Sequence, residues 1–78
     1  MPTILRLGPY RFFFYSNENQ EPAHIHIQRE RMLAKFWLSP VALASSTRFS
    51  GKELKKLEGL VTENKRVFEE AWNEYFSG

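Results

Sequence analysis

The sequence predicts an α+β fold: a small antiparallel β-sheet of three to four strands, in meander order, packed against a C-terminal helix or two helices. Three observations predict it. From Thr3 to Leu38 apolar and polar residues alternate, and β-branched and aromatic side chains are prominent. From Gly51 onward apolar residues recur at steps of three and four. The chain has 78 residues and no cysteine, but seven Phe, three Tyr and two Trp. A chain of this size buries only about 60% of its unfolded surface. Without disulfides it must draw core area from large aromatic rings.

The elements follow in order. Thr3–Leu7 is a first strand and Tyr10–Ser16 a second, with Gly8-Pro9 as the turn between them. SNENQEP, residues 16–22, is a polar loop. Ala23–Arg29 is a third strand, and RERM turns the chain into a fourth, Leu33–Leu38. Ser39-Pro40 breaks the sheet, and PVALASSTRF is compatible with either a short edge strand or an irregular segment. Ser50 starts a helix, because Ser50 and Glu53 fit the capping box S-x-x-E. Leu54, Leu57, Val61, Phe68, Ala71, Trp72 and Tyr75 form its apolar stripe. One continuous helix over 51–76 would be about 39 Å long, too long for so small a sheet. A bend or break is therefore expected near Gly59 to Asn64. The organisation is one domain, 1–78, with a sheet in 1–38, a connector in 39–49 and a helical part in 50–77.

Alternation also assigns faces. Tyr10, Phe12 and Phe14, then Ile25 and Ile27, then Ala34, Phe36 and Leu38 should face the core. The opposite face holds Arg11, Phe13 and Tyr15; His24, His26 and Gln28; Lys35 and Trp37. His24 and His26 are the only histidines, and the pattern places both on this second, exposed face. Glu21 and Pro22 precede them, and Pro22 holds Glu21 extended.

Charge is uneven. Residues 1–50 carry six basic and three acidic residues, and the remainder five and six, giving +3 and −1 for a net +2. The basic excess lies with the histidines and suits an anionic ligand such as RNA. A solvated face with no partner explains it equally well. No basic leader with a long apolar run and no stretch near 20 apolar residues is present. A cytoplasmic protein without a membrane span is expected.

Three chemistries fit the histidine face. In the first, His24 and His26 act as base and acid on a phosphodiester. Arg11 or Lys35 then stabilises charge, and Tyr15 or Trp37 stacks on a base. Lacking a Cys nucleophile and a Gly-rich phosphate loop, such a protein would be a metal-independent ribonuclease, with the RNA 2′-hydroxyl as nucleophile and no cofactor. In the second, His24, His26 and Glu30 form H-x-H-x3-E, a partial match to the first metal motif of the cupins. The flanking glycines and any further histidine are missing. In the third, the histidines are structural, and the protein is a non-enzymatic module that binds protein or nucleic acid.

RFFFYSNE, EPAHIHI, AKFWLSPVALA and WNEYF together resemble the small prokaryotic family catalogued as domain of unknown function 4160, over Ile4 to Phe76. The matching positions are Glu21, Pro22, His24, His26, Lys35, Trp37 and Leu38, with Trp72, Asn73 and Tyr75. The family commonly carries a glycine before the helix, in a G-F-S pattern, where this chain has Arg48 in TRFS. The resemblance implies the toxin half of a type II toxin–antitoxin pair, held inactive by a cognate antitoxin. It leaves open whether the chain self-associates as a homo-oligomer. Trp72 and Tyr75 fall on the helical stripe and are assigned to the core.

Overall fold

A computed structural model describes residues 3–15 and 20–76. The expected strand end at Ser16, loop residues 16–19 and the helical end at Ser77 lie outside the described residues. The described chain forms a five-stranded antiparallel sheet and two helices. The elements are β1 (Thr3–Leu7), β2 (Tyr10–Phe13), β3 (His24–Arg29), β4 (Met32–Leu38), β5 (Val41–Thr47), α1 (Gly51–Glu63) and α2 (Lys65–Phe76). The strands lie in sequence order, β1-β2-β3-β4-β5, as a meander of short connections requires.

The sheet exceeds the expected three to four strands because Ser39-Pro40 does not end it. Leu38 pairs with Val41, so these two residues form a hairpin loop, and the peptide between them is cis. The segment with two readings is thus β5, an edge strand. Its register slips between Lys35 and Phe36, leaving Ala44 as a bulge. Most of β5 is exposed, which hid its period. Glu30-Arg31 is a second two-residue loop, between the paired Arg29 and Met32. Glu30 there has φ 54.

The apolar face is as the alternation assigns it. Phe12, Phe14, Ile25, Ile27, Phe36 and Leu38 are buried with Leu57, Val61, Phe68 and Trp72 in one cluster. Phe12 stacks on Phe68 at 5.2 Å between centroids. Phe14 meets the Trp72 ring edge-on at 5.2 Å. Tyr75 is 42% exposed, so its core assignment is corrected: it packs on Phe76 and flanks Phe14 at the rim of the core.

The helical part breaks at Asn64. Its N–H and its Nδ2 both donate to the Leu60 carbonyl, ending α1. Its own carbonyl accepts from Phe68 N–H, starting α2. At the start of α1, Ser50 Oγ accepts from Glu53 N–H at 3.1 Å. The reciprocal half of the capping box is not made. The Glu53 carboxylate instead accepts from Tyr10 Oη and Arg29, each at 2.7 Å.

Those two bonds hold the Glu53 carboxyl below the usual range, the Tyr10 hydroxyl contributing most and Arg29 next. A depressed folded pKa stabilises the fold above the unfolded value and is lost as pH falls through the folded one. The window therefore lies on the acid side of the ordinary glutamate range. Thermal unfolding followed from neutral pH into acid should show Tm falling through that window. Glu53→Gln should have a lower Tm at neutral pH and a shallower acid limb. Superimposable limbs would mean that the triad does not couple folding to protons.

Candidate functional site on the open face of the sheet

Both helices pack on the apolar face, and the opposite face carries the histidines. Cross-strand register aligns them: His24 with Trp37, His26 with Lys35, Phe13 with His26, and Arg11 with Gln28. Opposed residues in an antiparallel pair share a face, so these side chains form one patch.

Ring contacts run through it. His26 stacks on Phe13 at 5.4 Å and meets Tyr15 edge-on at 4.6 Å. His24 stands edge-on to His26 at 5.1 Å and to Trp37 at 5.7 Å. Cations cap both ends. The Arg11 guanidinium lies 4.5 Å above the Phe13 ring and Lys35 Nζ 4.7 Å above the Trp37 ring. Lys35 also pairs with Glu21 at 2.5 Å.

The two histidines differ, which corrects the expectation that both lie exposed. His24 is fully buried, whereas His26 is partly exposed. The pairing of β2 with β3 ends at Phe13 and His26. No β2 residue flanks His24, and Trp72 of α2 comes within 4.8 Å of its ring. His24 Nδ1 lies 2.9 Å from the Pro22 carbonyl. A carbonyl only accepts, so Nδ1 carries the proton and the tautomer is set. The Glu21 carboxylate lies 3.7 Å from the same nitrogen. Glu21, Pro22 and His24 thus form a braced strand entry.

Phe13 is buried too, although alternation puts it on the open face. Arg11, Tyr15 and His26 close over it. Arg11 itself is turned toward β1 and β3, donating to Thr3 Oγ1 at 2.7 Å and to Gln28 Oε1 at 3.3 Å.

A cleft of about 200 Å³ opens beside His26. Tyr15, His26 and Lys35 line it together with Ser45, Ser46 and Thr47 of β5. The structure thus gathers three of the expected residues. It places Trp37 and Glu21 next to Lys35, keeps His24 behind His26, and leaves Arg11 beyond Phe13, outside the cleft lining. Sequence reasoning missed the β5 hydroxyls. The signal that could have found them is the Ser-Ser-Thr run opposite Lys35, legible only once β5 is read as a strand.

Glu30 sits in the β3–β4 loop, and among the described residues no three His, Asp or Glu side chains converge on a metal-sized site. Two imidazoles alone fall short of the three protein ligands of a catalytic zinc. The purified protein, dialysed against a weak chelator, should carry well under about 0.2 zinc per chain by elemental analysis. One zinc per chain would overturn this. Among the described residues no helix is long and apolar enough to cross a membrane.

A family model described as "Domain of unknown function (DUF4160)" matches residues 10–73, from the start of β2 into the last turns of α2. No curated protein and no solved structure matches the chain.

Proposed function

This chain belongs to the DUF4160 family, and from that premise we propose that it is the toxin half of a type II toxin–antitoxin pair, acting on RNA through the open sheet face. The observation that carries the reading is the cleft where His26, Lys35 and Tyr15 converge. A partly exposed imidazole can transfer protons, an ammonium can stabilise phosphorane charge and an accessible aromatic ring can stack on a base, which together suit metal-free cleavage of RNA. An imidazole nitrogen of His26 takes the proton from a ribose 2′-hydroxyl as its oxygen attacks the adjacent phosphorus. The bond to the 5′-oxygen breaks, and that oxygen leaves with a proton from solvent or from His26 once protonated. Lys35 Nζ stabilises charge on the phosphorane. Tyr15 stacks on a base, and Ser45 and Thr47 offer hydroxyls to phosphate or ribose.

In this reading His24 is a positioning residue. Buried, with its tautomer set by Pro22, it holds the His26 ring edge-on. Arg11 and Trp37 act through the rings and cations that they cover, and Glu21 holds Lys35. A cognate antitoxin would inhibit most economically by covering the cleft.

A second reading rests on the full burial of His24. It makes the histidine pair structural and the protein a binding module without catalysis. Induced expression in a bacterial host separates the two. The toxin reading expects growth arrest, relieved by a small partner encoded beside this chain, with cleaved RNA in the arrested cells. Arrest with intact RNA would favour the binding module, and unimpeded growth would remove the toxin reading.

A further inference from the structure

A second charged region lies away from the histidine face, where the β3–β4 loop meets the connector into α1. Two clefts adjoin there. One, of about 390 Å³, is lined by Arg29, Lys52, Lys56, Glu53, Tyr10 and Ser50. The other, of about 480 Å³, is lined by Glu30, Arg31, Met32 and Arg48. Their linings are neighbours along the chain: Arg29 precedes Glu30 and Arg31, and Arg48 lies two residues before Ser50. Together the linings hold five cations and two carboxylates. That leaves three positive charges, where the entire chain carries a net +2. The remaining six cations and seven carboxylates sum to −1, so the positive excess gathers at this corner, which corrects the expectation that it lies with the histidines.

One of its carboxylates is already committed. Glu53 accepts from Arg29 and Tyr10. No carboxylate among the described residues pairs with Arg31, Arg48 or Lys52.

The backbone adds an independent observation. Among the described residues only Glu30 (φ 54) and Arg48 (φ 72) are non-glycine residues at positive φ. Both line the same cleft. The two-residue β3–β4 loop accounts for Glu30, whereas Arg48 lies outside any hairpin loop, and strain of that kind clusters at binding sites. Glycine would relieve it at Arg48, but would remove the guanidinium.

We propose that this corner binds phosphate groups carried by a single-stranded nucleic acid, with Arg31 and Arg48 as the principal contacts and Lys52 and Lys56 continuing the track. Planar guanidinium groups suit phosphate oxygens bidentately. Two adjoining clefts suit successive phosphates of one strand better than a single small anion. The site lies apart from His26, so it extends the nucleic-acid reading without depending on catalysis.

The test titrates full-length protein with a labelled oligouridylate about a dozen nucleotides long, at several salt concentrations. Arg31→Ala/Arg48→Ala should weaken binding roughly tenfold or more and reduce the salt slope by about 1.4, since each lost contact to a single strand removes about 0.7. Arg48→Gly alone should weaken binding while raising Tm by roughly 2–5 °C, an opposed pair of effects that misfolding cannot produce. Inorganic phosphate at millimolar levels serves as competitor. Displacement would assign the clefts to discrete phosphates and resistance would assign them to the strand, and either supports phosphate recognition. Binding is read without cleavage or growth, so loss of the toxin reading leaves this readout intact, and Arg66→Ala, exposed on α2 and outside both clefts, should bind like wild type. Unchanged affinity and salt slope in the double arginine variant would overturn the proposal.

Discussion

Phe14→Ala is expected to unfold most of the protein at physiological temperature. Phe14 is fully buried, and its ring lies 5.2 Å from Trp72 and 5.9 Å from Phe76. It leaves the sheet just past β2 and carries the apolar face onto α2. Removing a buried phenylalanine ring costs about 3–5 kcal/mol, part lost transfer energy and part cavity. A domain of this size holds only about 4–12 kcal/mol in total. At roughly 4–8 °C of Tm per kcal/mol for small domains, the expected loss exceeds about 12 °C. Tyr75→Ala is the internal control. It neighbours Phe14 and Phe76 but is 42% exposed, so its Tm should fall far less. Scanning calorimetry on the pair decides the matter. A near-wild-type Tm for Phe14→Ala would mean that the packing of α2 on the sheet is wrong.

That core was legible because the period of a strand and the period of a helix are both written in apolar residues. Phe12, Ile25, Ile27 and Phe36 could only share a face, and Leu57, Val61, Phe68 and Trp72 could only cover it. β5 was not legible for the opposite reason. Its sequence VALASST is mostly exposed and carries a bulge at Ala44, so no alternation survives to be read.

The candidate site was half legible. Alternation put His24, His26, Lys35 and Trp37 on one face, and the register does pair them. It could not tell that β2 stops at Phe13 and that Trp72 comes against His24. That depends on where a helix ends in space rather than on any period. The Tyr10–Glu53–Arg29 triad was hidden similarly. Glu53 looked like the second half of a capping box, and only the packing of α1 across the sheet offers its carboxylate two better donors. The turn before α1 was marked more faintly. A position where the resembled family carries glycine is one where Arg48 adopts φ 72, a conformation glycine takes without cost.

On the proposed toxin reading, His26→Ala and Lys35→Ala are expected to abolish growth inhibition while leaving the fold intact, and His24→Ala is expected to fail differently. His26 and Lys35 are partly exposed and line the cleft. On that reading, truncating them removes groups that would reach the RNA, and leaves no buried cavity. Losing a general base costs typically about 10²–10⁴-fold in rate, enough to let cells grow. Lys35→Arg keeps the charge but enlarges the head group that now fits between Glu21 and the Trp37 ring, so partial rescue is expected from it. His24→Ala empties a fully buried site touching His26, Trp37 and Trp72, so it should lower Tm as well as activity. The contrast between neighbours two residues apart is the discriminating feature. Circular dichroism melts and growth curves on the same variants measure it. If His26→Ala and Lys35→Ala remain folded and fully toxic, the cleft is not the active site, and the histidine pair belongs to the architecture of the sheet.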